Sequence, residues 1–453
     1  MGVSNKQMIF HVPLPSTPSD HPFQRPQALH LIDACPLPLP RRILSGEHEG
    51  MKELIEELER WGADVIFGRA KGFRATLMRF LMRALSGVFR VIVQIRLWRY
   101  RSGARPQAYL GTVVVAIGNI TVGGTGKTPV VELMARSLRD RGRKVAILSR
   151  GYKSKKLERT QKWPSLNGGN VPEEQMPKLV STGKAILLDS KYAGDEPFML
   201  ARNLDGVAVV VDKNRVKSGR FAIRELASDT ILLDDGMQYL DLAHSMDVTL
   251  VDSGAPFGTE ALLPRGTLRE PPKNLRRASY ILITKCNGSS NDALIARIRR
   301  YNRTAEIIEC THGPIYLENV FTRERKPLEF LKDKWTGAIS AIAVPEAFEG
   351  SLEKLGARVE IRRRFSDHYR FSKREVEKFM QRCVERDMEL IVTTEKDAVR
   401  FPRPASVDVP VYFLRIEVEI LKGREIWDGL IERICNPPPA FDSVLRNRPA
   451  YRP

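Results

Sequence analysis

The stretch TVVVAIGNITVGGTGKTPVVELMARSLRDR, residues 112–141, decides the fold. It opens with an apolar, β-branched run, Thr112–Ile117, of the kind buried on both faces of a sheet. It closes with a helical stretch, Lys127–Arg141. Between them lie Thr121, Val122, Gly123, Gly124, Thr125, Gly126, Lys127 and Thr128. Small residues between a strand and a helix let successive backbone N–H groups wrap a phosphate, and the helix N-terminus adds positive potential. Lys127 would reach the β- and γ-phosphates, and Thr128 would bind Mg²⁺. Thr121 stands where the usual GxxxxGK[ST] spacing has its first glycine, so the loop is a variant in which Gly123 and Gly124 supply the flexibility. ATP with Mg²⁺ is the expected ligand.

Outward from this stretch the same alternation continues. Val145–Leu148, Val207–Val211, Thr230–Leu233, Val248–Val251 and Tyr280–Thr284 are short apolar runs separated by helical stretches. That pattern predicts an α/β fold with a mostly parallel sheet covered on both faces, a P-loop NTPase-like core over 111–314. A smaller C-terminal α/β domain is expected over 315–435. Its strands are Ala338–Ala343, Arg358–Ile361, Leu390–Thr393 and Val411–Leu414. Its helices run near Ala347–Leu355 and from Ser372, where Glu375 completes a capping box. Residues 436–453 form a proline-rich tail.

The N-terminal part differs. Residues 1–50 hold eight of the 29 prolines and four of the seven histidines, with no helical periodicity. They read as a disordered leader, or the natural chain begins at Met51, where a helical pattern starts. Residues 51–110 read as a basic amphipathic helical region. Within it, 69–105 carry ten Lys or Arg and no acid. Arg79, Arg83 and Arg90 share a narrow arc of the helix, and Leu77, Phe80, Leu85, Ile92 and Trp98 supply a wide apolar face. Such a helix suits an anionic membrane surface. The alternative is a core-packed helix with a solvated basic edge. No run of about 18 uncharged apolar residues occurs, which excludes a standard spanning helix.

The chain has 453 residues, 42% apolar and 28% charged, with a formal net charge of +19. The positive surplus points to anionic partners. A nucleic-acid-binding ATPase would interleave basic residues with stacking aromatics along a groove; the excess here sits mainly in one apolar helix, so no nucleic-acid partner is expected. Cys35, Cys286, Cys310, Cys383 and Cys435 lie far apart, with no CxxC pair and an odd count, so neither a disulfide framework nor a cysteine zinc site is indicated.

Four further motifs carry candidate chemistry. ILLDDGMQ (231–238) ends a buried strand with Asp234 and Asp235, placed like a Walker-B acid to hold Mg²⁺; alone it is also an ordinary turn. GDEP (194–197) offers Asp195 and Glu196 on a fixed loop. FSDHYRF (365–371) offers His368, one of three histidines after residue 50, able to orient or tune a carboxylate base. LLPRGTLREP (262–271) offers Arg265 and Arg269 for two-pronged phosphate contacts.

With SRGY (149–152), a DH pair and TTEKDAVRF (393–401), these motifs occur in an order that resembles the tetraacyldisaccharide 4'-kinase family, the lipid A 4'-kinases, from about residue 75 to 430. The resemblance implies a P-loop kinase at the cytoplasmic face of a Gram-negative inner membrane, with an N-terminal membrane-associated helix. It implies phosphorylation by MgATP of the 4'-hydroxyl of a tetraacylated glucosamine disaccharide 1-phosphate, giving lipid IVA in lipid A biosynthesis. It makes Asp195 the general base, partnered by His368, with Lys127, Asp234 and Asp235 in the catalytic cluster. Thr128, Asp234, Asp235 and Glu196 would serve the metal, and Arg215, Gln238 and Arg269 the substrate. Met237, Tyr239 and the pair His244-Ser245 depart from the family pattern around DDG. The competing class is a membrane-associated P-loop ATPase switch, whose loop is similar to VGGTGKT but carries a lysine where this chain has Val122.

Overall fold

The computed structural model describes residues 61–152, 154–156 and 176–437. The expected leader, residues 51–60 and all but the start of the proline-rich tail lie outside them.

Seven strands come from the first block: β1 (Val113–Asn119), β2 (Val145–Ser149), β3 (Lys178–Ser181), β4 (Ala208–Val211), β5 (Thr230–Asp234), β6 (Met246–Asp252) and β7 (Tyr280–Thr284). Six follow: β8 (Glu306–Asn319), β9 (Arg325–Lys326), β10 (Trp335–Ser340), β11 (Arg358–Arg364), β12 (Leu390–Thr394) and β13 (Val411–Lys422). The helices are α1 (Phe73–Arg101), α2 (Lys127–Asp140), α3 (Ser190–Ala193), α4 (Asp195–Asn203), α5 (Arg215–Leu226), α6 (Asp292–Arg299), α7 (Pro345–Lys354), α8 (Lys373–Val384), α9 (Glu395–Ala398) and α10 (Arg424–Cys435).

All seven residues of β1 are buried, as its unbroken apolar run requires. Alternate side chains serve opposite faces of the sheet. Val113, Val115 and Ile117 pack with Val130, Val131, Met134 and Leu138 of α2. Val114 and Ala116 pack with Phe221 and Ala222 of α5. The β5-β1-β6 order places the loop after β1 and the end of β5 side by side, because both strands run parallel to β1. Ligands in open α/β sheets bind at these carboxyl ends.

The two sequence blocks share one sheet of thirteen strands, in the order β11-β10-β12-β13-β8-β7-β6-β1-β5-β2-β4-β3, with β9 on β8. The join is β8. Its first residues run parallel to β7, and the rest pairs antiparallel with β13. Ile315 bulges out of that ladder, where Tyr316 faces Arg415 and Pro314 faces Ile416. The capping box at α8 is present, with the Ser372 side chain accepting from the Glu375 N–H and the Glu375 carboxylate accepting from the Ser372 N–H.

α1 is 29 residues long and is not core-packed. Phe73, Phe80 and Trp98 are 81%, 69% and 63% exposed, and only Ala75, Ser86, Leu97 and Tyr100 are buried. It is pinned to the body by a few contacts: the Ser86 hydroxyl donates to Leu262 O (2.8 Å), Arg96 donates to Gln238 O (3.0 Å), and Leu97 packs with Leu240. Among the described residues no helix is long and apolar enough to cross a membrane.

Candidate active site

The loop 121–128 is held from below and left open above. The Val122 N–H donates to Thr267 O (2.7 Å), and the Thr284 hydroxyl donates to Thr125 O (2.9 Å). His312 Nε2 lies 3.3 Å from Gly126 O. Gly126 is left-handed (φ 79°) and no side chain caps α2, so the helix's first N–H groups have no side-chain acceptor. Thr125 Oγ1 is buried without a partner. Lys127 Nζ donates to Asn119 Oδ1 (3.2 Å) and lies 3.7 Å from Asp235.

The two acids after β5 have different environments. Asp234 accepts from the Ser149 hydroxyl (3.0 Å) and is fully buried in the strand end. Burial, then the charges of Glu196 and Asp235, push its carboxyl up to about 7. Asp235 has φ 54°, a left-handed conformation that costs a non-glycine residue about 1–2 kcal/mol. One Nη of Arg269 donates to both its oxygens, at 2.9 and 2.7 Å. Burial would raise this carboxyl, but Lys127 and Arg269 hold it below the usual range. Gln238 donates to Asn119 O (3.0 Å) and Glu270 (3.1 Å), while its Oε1 is buried and unpartnered. Arg215 is buried over the Tyr239 ring, and its Nε has no partner.

Asp195 opens α4, and His368 sits in the loop after β11, 173 positions later. The fold brings His368 Nδ1 to 3.3 Å from Asp195 Oδ2. His368 is also left-handed (φ 64°), its N–H held by Ala341 O. Arg400 donates to the same Asp195 oxygen at 2.7 Å, and Arg370 to the other at 3.2 Å. Burial would raise the Asp195 carboxyl; the hydrogen bond to His368 and the charges of Arg400 and Arg370 outweigh it and hold the group low. Lys396 Nζ lies 3.1 Å from His368 Nε2 and 3.6 Å from Glu196.

Every site residue expected from the sequence, except Thr121 and Arg265, lines a single cavity of about 1310 Å³; Thr121 is buried, its hydroxyl accepting from Asn119 (3.1 Å), and Arg265 does not line the cavity but donates to Ile66 O (3.0 Å), so the phosphate contact expected of it is not supported. One wall of the cavity is apolar and comes from Phe89, Ile92, Val93 and Leu97 of α1. Lys396, Arg400, Asn119, Ser149 and Glu270 were not singled out from the sequence. For Lys396 and Arg400 the available signal was TTEKDAVRF; for Ser149 it was SRGY. The departures around DDG have local explanations. Tyr239 Oη accepts from the Arg215 N–H (3.0 Å), His244 bridges Asp247 and Tyr239 O, and Ser245 Oγ accepts from the Val114 N–H. Met237 packs over Gly118, where a Cβ would meet it at 2.6 Å.

Known proteins resemble this chain in sequence and fold. The sequence profile described as Tetraacyldisaccharide-1-P 4'-kinase matches residues 78–435. Tetraacyldisaccharide 4'-kinase of Anaeromyxobacter dehalogenans (strain 2CP-C) is 36% identical over 348 residues, covering 76% of this chain and 87% of that protein. The protein of the same name from Halothermothrix orenii is 30% identical, covering 81% and 96%. Among solved structures, LpxK from Aquifex aeolicus in complex with ATP superposes with a TM-score of 0.61 at 27% identity, covering 79% of this chain and 99% of that one. A phosphate loop, a DDG strand end and an aspartate–histidine pair in one cleft, with a profile match over most of the chain, lead to one assignment: the chain belongs to the tetraacyldisaccharide 4'-kinase family.

Proposed function

We propose that this kinase transfers the γ-phosphoryl group of ATP to the 4'-hydroxyl of a tetraacylated glucosamine disaccharide 1-phosphate. The observation that carries the proposal is the opening of the phosphate loop and the Asp195–His368 pair into one cavity with an apolar wall. Phosphoryl transfer demands positioning and charge neutralisation more than covalent catalysis. Lys127 turns from Asn119 to the γ-phosphate, and the open N-terminus of α2 receives the phosphate oxygens. Asp195 takes the hydroxyl proton, and Arg400 keeps that carboxylate ionised and in place. The unpartnered Arg215 Nε and Gln238 Oε1 are available to the phosphorylated sugar.

The donor set fits Mg²⁺. Arg269 is committed to Asp235 on both oxygens, whereas Asp234 is a buried carboxyl with acids beside it and a single hydroxyl donor. Asp234, Thr128 and Glu196 are the oxygen donors that would hold the ion, with Asp235 behind them; one or two carboxylates plus phosphates suffice for Mg²⁺. When bound, the ion would neutralise charge on the transferring phosphate. Gly126→Ala should weaken ATP binding at least about tenfold, because φ 79° strains any Cβ and that Cβ would lie 2.2 Å from His312 Nε2. Titration calorimetry with ATP measures this.

The exposed apolar face of α1 and its basic edge support a peripheral position on the anionic cytoplasmic face of the inner membrane. That face continues into the cavity wall, so acyl chains need not leave an apolar surface to present the sugar. The protein should sediment with anionic vesicles at low salt and be released at high salt. Basic residues near such a surface contribute about 1 kcal/mol each, and salt screens that contribution. Binding unchanged by salt and by replacement of Arg79, Arg83 and Arg90 with Gln would remove this placement.

The activity test is radiolabelled ATP with the disaccharide 1-phosphate in detergent micelles, with products separated by thin-layer chromatography. A labelled lipid product is expected. ATP turnover indifferent to the lipid acceptor would favour the ATPase switch instead.

A further inference from the structure

The segment 393–401, TTEKDAVRF, brackets the Asp195–His368 pair from both ends. Arg400 holds Asp195 Oδ2 at 2.7 Å, and Lys396 Nζ stands 3.1 Å from His368 Nε2. The segment is firmly seated. Glu395 accepts from Asn203 (2.6 Å), the last residue of the helix that Asp195 begins, and from Arg415 (2.6 Å) of β13. Arg415 also bonds Glu132 of α2, the helix that the phosphate loop opens. Asp397 accepts from the Ala341 N–H (2.9 Å) and the Thr394 hydroxyl (2.7 Å) and pairs with Arg400. Lys396 therefore approaches the imidazole from a platform tied to both halves of the site.

An ammonium group only donates. Facing His368 Nε2, it makes that nitrogen an acceptor. The one ring proton of a neutral imidazole then sits on Nδ1, which points at Asp195 Oδ2. We infer that Lys396 is a positioning residue that fixes His368 in its Nδ1–H form, so that the imidazole donates to Asp195 and leaves the carboxylate as the proton acceptor. In the transfer step the sugar O–H bond breaks, its proton goes to the Asp195 carboxylate, and the oxygen electron pair forms the new bond to the γ-phosphorus as the bond from that phosphorus to the β,γ-bridging oxygen breaks and ADP leaves with its electron pair. His368 directs the carboxylate and takes no proton, since both ring nitrogens are engaged. Lys396 also lies 3.6 Å from Glu196 and 3.5 Å from Asp367, which balance its charge without competing for the ring nitrogen. The inference rests on Asp195 acting as base, but the tautomer can be read without turnover.

The experiment is ¹⁵N NMR of the full chain labelled at histidine, above neutral pH, with the His368 signals assigned by their loss in His368→Gln. The wild-type protein should show a protonated Nδ1 and an unprotonated Nε2. Lys396→Met should lose that pattern, and Lys396→Arg, which restores a donor, should keep it. In the lipid kinase assay Lys396→Met should lower kcat on the order of 10- to 100-fold with the lipid KM little changed, and Lys396→Arg should recover part of the loss. A wild-type signal from protonated Nε2 overturns the inference without any variant. So does a Lys396→Met protein that keeps the Nδ1–H pattern while its lipid KM rises, because Lys396 would then be a direct substrate contact.

Discussion

Lys127→Ala is expected to reduce phosphoryl transfer by ~10²–10⁴ while leaving the fold intact. Before ligand binding, Lys127 is held by Asn119 Oδ1 and faces Asp235, close enough to the loop to move onto phosphate. Removing it leaves Asp235 paired with Arg269 on both oxygens, so no buried charge is stranded. Asn119 keeps its bond to the Thr121 hydroxyl. Thermal unfolding should therefore shift little while turnover collapses. A folded Lys127→Ala protein with near-wild-type turnover would end the assignment of the loop as a catalytic phosphate site.

The second large effect is expected at Asp195. Asparagine preserves the shape of the side chain but cannot act as base. kcat should fall by ~10²–10⁴, with ATP affinity unchanged because the group acts in the chemical step. His368→Ala should lower kcat less, since the imidazole directs the carboxylate. Adding it to Asp195→Asn should cost little more, because residues acting as one unit are not additive. Losses that multiply in the double variant would show two independent roles. Asp195→Asn also carries a stability signature. The wild-type carboxyl is held low by its donors, so its stabilising contribution is fully present above about pH 4 and is lost as the pH falls through the lower folded value. The stability gap between wild type and variant should narrow on acidification, as followed by denaturant titration at several pH values.

The position of α1 fits the proposed action on an amphiphile. Its outward residues suit a lipid surface, while Phe89, Ile92 and Val93 border the cavity that holds the candidate site. The polar chemistry lies at the carboxyl ends of β1 and β5, where strand order and helix N-terminus dictate it.

What the sequence determined by itself was local. The candidate phosphate loop between β1 and α2 was legible because its residues are contiguous, and because the all-buried β1 and the amphipathic α2 announce themselves by their apolar patterns. The capping box at Ser372 was legible for the same reason, as its partners lie three positions apart. The Asp195–His368 pairing was expected only through the order of motifs, since nothing local links residues 173 positions apart. The tertiary structure alone decided three things. It made the two blocks one sheet, because β8 runs through the boundary expected between 314 and 315, with a bulge at Ile315, and pairs with β13. It placed Lys396 and Arg400 beside the Asp195–His368 pair, because TTEKDAVRF marked that segment only by its place in the order of motifs and the partner that Arg400 holds is 205 positions away. It set the two acids after β5 apart, giving Asp235 the cations and Asp234 the burial, a difference that two adjacent aspartates cannot express in sequence because it depends on which side chains surround each one.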